Sequence, residues 1–328
     1  MSNHPVSRPR RQALGAGVAA LVAPGLVLAQ GAARTVSLVV SYPPGGGADL
    51  VARLIAPVMA RSLGQAVIVD NRPGGSGQIA AALVARAAPD GSTLLLDASS
   101  FAVNPSLFPK LPYDSQKDFA PLGVVALFPN VLVCTSAFAA RSVRDLVRMA
   151  KATPGKIAYA SSGNGSAQHL AGALFERRAG VDLVHVPYRG GGPALNDVIG
   201  GQVPLFFANV ASSLGHIESG RLRPLAVTAR VRARALPQVP TMEEAGVPGY
   251  EVLEWNPLLA PAATPAPVQA RLRAALHAAV SDPEVLARIR ALSGEPFTDD
   301  DPAKVAAFLQ RQREQWGTLV RERHITAG

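Results

Sequence analysis

The segment Thr35-Val36-Ser37-Leu38-Val39-Val40-Ser41-Tyr42-Pro43-Pro44-Gly45-Gly46-Gly47-Ala48-Asp49 runs from an apolar stretch through a proline–glycine turn into a helical pattern. Residues 35–42 predict a strand, and 49–63, with Leu50, Leu54 and Val58 on one face, predict a helix. A strand that hands over to a helix through a glycine turn is the opening of a βαβ unit, whose strands lie parallel. The pattern recurs along the chain. A strand at 66–70 leads through Pro73-Gly74-Gly75-Ser76-Gly77 into a helix reaching 88, and Pro89-Asp90-Gly91 precedes a third strand at 93–97. A second series follows: a helix at 143–152, a strand at 157–160, the loop Ser161-Ser162-Gly163-Asn164-Gly165, and a helix at 166–179. After it come a strand at 183–186, the loop Pro187-Tyr188-Arg189-Gly190-Gly191-Gly192, a helix opened by Pro193, and strands at 203–209 and 225–229.

Two stretches join the series. Residues 122–135 are apolar and broken by Pro129, and 249–264 are apolar and proline-rich, with Trp255 and Asn256. Each suits a segment that crosses from one lobe to the other. Helices are expected at 265–281, 283–292 and 302–323. A chain of 328 residues exceeds one compact core and fits two. The predicted class is α/β, in two lobes with two mainly parallel sheets and a hinge of crossing segments. Lobe 1 would comprise 30–128 and 255–328, and lobe 2 would comprise 129–254.

Hydrophobic residues make up 48% and charged residues 17%, so burial can offset chain ordering. The net charge of +9 is spread without a Lys/Arg run, and aromatics are only 5%, which argues against a nucleic-acid partner. Long-range attraction of small anions remains open. Cys134 is the sole cysteine and sits in an apolar run, so it reads as a small buried hydrophobe without a disulfide or metal site. Residues 1–29 pass from a basic start with Arg8, Arg10 and Arg11 to an apolar stretch and Val27-Leu28-Ala29. They read as a secretory signal, general or twin-arginine, with a mature start near Gln30.

The glycine loops carry the chemistry. A helix leaves its first amides unpaired and bears partial positive charge there, and glycine admits an anion close to the backbone. Each helix end contributes about 0.3–1 kcal/mol, up to ~2 when partly buried. Micromolar affinity requires about 8 kcal/mol, so several loops must converge on one ligand. Such a cleft belongs at the carboxyl ends of the strands.

These loops, with Asn71-Arg72-Pro73, Asn104-Pro105-Ser106-Leu107, Leu111-Pro112-Tyr113-Asp114, Pro154-Gly155-Lys156, His169-Leu170, Gly200-Gly201-Gln202-Val203, Glu244-Ala245-Gly246 and Ala260-Pro261-Ala262-Ala263-Thr264-Pro265, stand in an order that resembles the Bug-type receptors of tripartite tricarboxylate transporters. The resemblance spans nearly all of the chain after residue 30. It implies a Venus-flytrap binding fold, an exported and soluble periplasmic protein, no catalysis and no cofactor. It further implies capture of a small organic carboxylate, largely by main-chain amides and water, and delivery to the membrane permease subunits of a tripartite transporter. A monomer is expected.

Carried over by motif, Tyr42, Pro44, Gly45, Gly46, Gly47 and Asp49 would form the first clamp. Ser161, Ser162, Gly163, Asn164, Gly165 and Ser166, with Tyr188, Arg189 and Gly190, would close from the second lobe. Ser99 and Ser100 would line the floor, and Ser76 and Asn209 complete the set. Two departures bear on the ligand. An acid is common after the aromatic pair where Ala208 stands, and Trp-x-Gly is common where this chain has Trp255-Asn256-Pro257. Lack of an acid at Ala208 would disfavour a ligand with an amino group.

Alternatives stay open at several residues. Asp49 caps the first helix or reaches the ligand through water, Ser166 caps its helix, His169 is a structural hydrogen bonder, and Arg189 is solvated or pairs with a distal carboxylate. Gly75-Ser76-Gly77-Gln78-Ile79-Ala80 also fits a dinucleotide fingerprint, with Asp97 downstream, so a nucleotide-dependent enzyme is one rival reading. A periplasmic sensor subunit for a two-component system is the other.

Overall fold

The computed structural model describes residues 35–299 and 301–326; the secretory-signal reading of 1–29 lies outside the described residues. In chain order the elements are β1 (Val36–Val40), α1 (Gly47–Leu63), β2 (Val67–Asn71), α2 (Gln78–Ala85), β3 (Thr93–Leu96), α3 (Ser100–Leu107), β4 (Phe119–Thr135), α4 (Val143–Ala152), β5 (Ala158–Ser161), α5 (Ala167–Ala179), β6 (Val184–Pro187) and α6 (Gly191–Ile199). They continue with β7 (Leu205–Asn209), α7 (Val210–Glu218), β8 (Leu222–Val227), β9 (Leu253–Pro261), α8 (Ala266–Ser281), α9 (Pro283–Ala291), β10 (Glu295–Pro296) and α10 (Pro302–Glu322).

The strands run in the order β2-β1-β3-β9-β4-β7-β5-β6, with β8 and β10 also on β4. Pairs β1–β2, β1–β3, β5–β6 and β5–β7 are parallel, as βαβ units require. Every pair that includes β4 or β9 is antiparallel, so the sheet is mixed. β4 divides the molecule. Its residues through Pro129 pair with β9, and from Asn130 on it pairs with β7, with β8 on its other edge from Val131. The change of partner coincides with Pro129, which has no N–H to give a ladder.

Alternation along each strand builds a core on both faces of each half. Leu38 and Val40 pack with Ile55, Met59 and Leu276, whereas Val39 packs with Phe101, Trp255 and Leu309. Leu132 and Phe207 pack with Tyr159 and Phe175, whereas Val131, Val133, Phe206 and Ala208 face Leu195 and Val198. Helices on both faces explain why the strands read as unbroken apolar runs. Cys134 is fully buried in one of these cores.

The structure adds to the sequence reading in two places. α3 and α7 are helices that the pattern did not announce, because Asn104, Pro105 and Ser106 in one and Ser212, Ser213 and Gly215 in the other lack a helical apolar period. α7 is nonetheless capped, Asn209 Oδ1 accepting from Ala211 N at 2.9 Å. In addition α10 serves both halves: Val305 and Leu309 join a first-half core, while Trp316, Leu319 and Val320 join a second-half core. Trp255 Nε1 and Trp316 Nε1 both donate to Gln312 Oε1, at 3.0 and 2.9 Å. Among the described residues no helix is long and apolar enough to cross a membrane.

α5 crosses β5 with Gly172 flat against the fully buried Tyr159, where a Cβ would stand 2.1 Å from the ring. Gly172→Ala is therefore expected to cost about 1–3 kcal/mol by overpacking, read as a lowered urea midpoint with an unchanged slope.

Candidate functional site

Six strand-to-helix junctions, three from each half, follow the carboxyl ends of β1, β2, β3, β5, β6 and β7. This is the edge of an α/β sheet where ligands bind. Four of these junctions wall a cleft of about 250 Å³: Ser41 to Pro43, Gly74 to Gly77, Ser162 to Asn164, and Pro187 to Arg189, with Phe108 at the end of α3. A smaller recess of about 20 Å³ shares Tyr42 and Ser162 with the cleft. Gly46, Gly47, Gln168, Gly191, Asn209, Ser212 and Glu254 are among the residues that line the recess.

Backbone conformation makes the cleft walls. Gly74, Gly75, Ser76 and Gly77 have φ of 129, 56, 54 and 91°, so four successive residues adopt a region open chiefly to glycine. Ser76 is held there from both sides. Its Oγ donates to Asn164 O at 2.6 Å in the other half, and its carbonyl accepts from Asn104 Nδ2 at 3.0 Å. The halves also meet where Gly190, at φ 124°, lies against the Pro43 ring.

Behind the walls, side chains fasten the loops. Asp49 is buried; Gly45 N, Arg53 Nε and Asn71 Nδ2 each donate to it at 3.0 Å, and Asn71 Nδ2 also donates to Tyr42 O at 2.9 Å. Burial pushes its carboxyl up, but the three donors outweigh that and hold it below the usual range. Ser161 Oγ accepts from Gly163 N at 3.1 Å and lies 2.6 Å from His185 Nε2. His185 stacks on His169 with ring centroids 3.7 Å apart, and His169 Nδ1 accepts from Gly165 N at 3.1 Å. Burial lowers His169 to about 3 and His185 to about 4, so both rings stay neutral and available as hydrogen-bond partners at neutral pH. Ser166 Oγ caps α5.

Comparison with known proteins follows this geometry. Residues 51–325 match the model of the tripartite tricarboxylate transporter family receptor. The chain belongs to this family. The structure resembles the periplasmic binding protein BugD, at 35% identity and a TM-score of 0.85, covering 89% of this chain and 98% of that one. It resembles MatC from Rhodopseudomonas palustris with bound malate, at 33% identity and 0.83, covering 88% and 99%. It likewise resembles an R. palustris protein with adipate, at 35% identity and 0.86, covering 89% and 98%. The α/β periplasmic binding-protein fold read from the sequence is thus that of the similar solved structures, and the family is one of receptors.

Within this receptor fold the expected site residues fall into four groups. Tyr42, Ser76, Ser162, Gly163, Asn164, Tyr188 and Arg189 line the cleft, and Gly46, Gly47 and Asn209 line the recess. Pro44 and Gly45 are exposed and line neither. Asp49, Ser99, Ser100, Ser161, Gly165, Ser166 and Gly190 stand behind the walls. Ser100, for example, accepts from Tyr42 OH at 2.9 Å rather than facing the floor. Tyr188 OH donates to Asp197 Oδ2 at 2.7 Å, which fixes its ring. Ala208 is packed in the second-half core, so an acid or its lack there does not describe the recess.

Sequence reasoning missed Glu254 and Gln168. The signal was present: Glu254 is the one acid in the apolar run 253–261, and the crossing strand that contains it is paired with β4 beside Phe128. Asp97, weighed from the sequence only as the acid of a dinucleotide fingerprint, is fully buried. Ser41 Oγ and Ala98 N both donate to Asp97 Oδ1, while Oδ2 has no hydrogen-bond partner among the described residues, and the carboxylate lies directly behind Gly77. Burial, opposed by these two donors and reinforced by the charge of Glu254, raises Asp97 to about 7.

Because the folded value lies above the unfolded one, the folded state binds more protons between pH 4 and 7, and Asp97 makes stability fall as pH rises through that window. Asp97→Asn retains an acceptor for Ser41 and Ala98. It should remove a slope of up to about 1.4 kcal/mol per pH unit, seen as a smaller loss of melting temperature between pH 5 and 8 than in the wild type.

Proposed function

We propose that this protein is exported to the periplasm, captures a small organic carboxylate between its two halves, and presents it as a soluble monomer to the permease subunits of a tripartite tricarboxylate-type transporter. The observation that carries the reading is the convergence of main-chain loops from both halves on one cleft. Gly74 to Gly77 precede α2, Ser162 to Asn164 precede α5, and Pro187 to Arg189 precede α6, so helix N-termini surround the cavity. Arg189 is exposed on its rim and has no ion pair among the described residues, leaving a guanidinium for a distal carboxylate. The malate and adipate bound by the two similar receptors belong to the same chemical class.

On this reading the halves are lobes, 30–128 with 255–328 against 129–254. They hinge where β4 and β9 cross, and α10 packs on both. Solute capture is then a closing motion that brings Ser76 to Asn164 and Pro43 to Gly190. Water excluded from the closed cleft strengthens each amide contact.

Thermal-shift and calorimetric titration with succinate, malate, adipate and citrate, against glucose and cadaverine, tests the proposal. At least one carboxylate should raise the melting temperature, by an amount equivalent to about 2.7 kcal/mol at a hundredfold excess over Kd, and the sugar and diamine should not. Failure of every carboxylate overturns it. Closure is tested separately. An alanine Cβ at Gly190 would stand 2.5 Å from Pro43 Cγ, so Gly190→Ala should weaken the bound carboxylate at least tenfold, and the extended positive-φ backbone, open essentially to glycine alone, should cost the free protein about 1–3 kcal/mol. Equal affinity in this variant would remove closure from the mechanism.

A further inference from the structure

The recess beside the cleft is built for a group different from a carboxylate. Glu254 is 8% exposed and lines it, with Gly46 and Gly47 at the start of α1 and Gly191 at the start of α6. Gln168 Nε2 donates to Glu254 Oε2 at 2.5 Å and to Asn130 Oδ1 at 3.2 Å, so both hydrogens of that amide are engaged. The Asn209 amide also donates to Glu254. A carboxylate has about four acceptor sites, so Glu254 retains capacity for a further donor from a ligand.

Volume and charge narrow that donor. About 20 Å³ holds one water-sized group, since a single water needs roughly 10–15 Å³. A second ligand carboxylate is too large and would meet the charge of Glu254. An ammonium would face two helix N-termini, whose partial charge is positive. A hydroxyl satisfies both surroundings: it donates to Glu254 and accepts from a helix N-terminal N–H.

We infer that Glu254 is the specificity-determining residue of this receptor, and that the solute is a hydroxycarboxylate whose carboxylate lies in the cleft and whose hydroxyl enters the recess. The inference rests on the cleft being the carboxylate site.

Calorimetric titration of the full mature chain with matched pairs tests it: propionate and lactate, succinate and malate, glutarate and 2-hydroxyglutarate, with aspartate as the amino counterpart of malate. At least one pair should bind with the hydroxylated member tenfold or more tighter, and aspartate should be weaker than malate. In Glu254→Gln, a near-isosteric change, the preference should fall to about threefold or less while the plain acid binds as well or better. Plain and hydroxylated acids binding equally to the wild type, or aspartate binding tighter than malate, would overturn the inference and leave the proposed function standing. A wild-type preference that Glu254→Gln leaves intact overturns the role of Glu254. No binding by any acid overturns the inference together with the reading on which it rests. The wild-type comparison needs no variant, so a folding defect in Glu254→Gln does not shield the inference.

Discussion

The switch of hydrogen-bond partners along β4 is the constraint on which the rest of the structure depends. One continuous strand belongs to the first half through Pro129 and to the second from Asn130. Because β1, β2 and β3 run parallel in one half and β5, β6 and β7 in the other, the carboxyl ends of each trio lie on one edge. Loops from both edges wall one cleft, with Tyr42, Phe108 and Tyr188 supplying its large side chains. Thr228 ties the joint on the second-half side: its Oγ1 accepts from Asn130 N at 2.8 Å and donates to Val252 O at 2.6 Å.

Much of this was legible in the sequence for a simple reason. The loops that line the cleft must combine glycine with a strand before and a helix after, and that local grammar leaves a visible trace at 42–49, 73–77, 161–166 and 187–192. The crossing segments were equally plain, because strands buried on both faces read as apolar runs interrupted by proline. What stayed hidden depends on long-range packing. Ser100 looked like a floor residue and proved to be the partner of Tyr42 across 58 residues of sequence. The His169–His185 stack joins a helix to a strand and leaves no local pattern. α3 and α7 follow tertiary demands over weak intrinsic preference, as short Ser- and Asn-containing helices do.

The acids show how an anion site is balanced. Asp97 and Glu254 are both buried, both act on Tyr42 electrostatically, and burial raises both. Among the described residues neither has a lysine or arginine as a hydrogen-bond partner; their partners are a hydroxyl, a main-chain amide and two side-chain amides. Such carboxyls make the inner wall less hospitable to negative charge than the outer wall, where Arg189 and the helix N-termini stand. On the proposed function, a solute would be oriented as well as attracted, its most anionic end toward Arg189.

The two indoles of the chain hang from a single glutamine on α10, the helix that packs on both halves. Trp255 lies on the returning crossover, whereas Trp316 shares α10 with Gln312, so a displacement of α10 against β9 would break the Trp255 N–H contact and leave that of Trp316 in place. Emission from one of the two indoles would then report that displacement against the other as an internal reference, without an added dye.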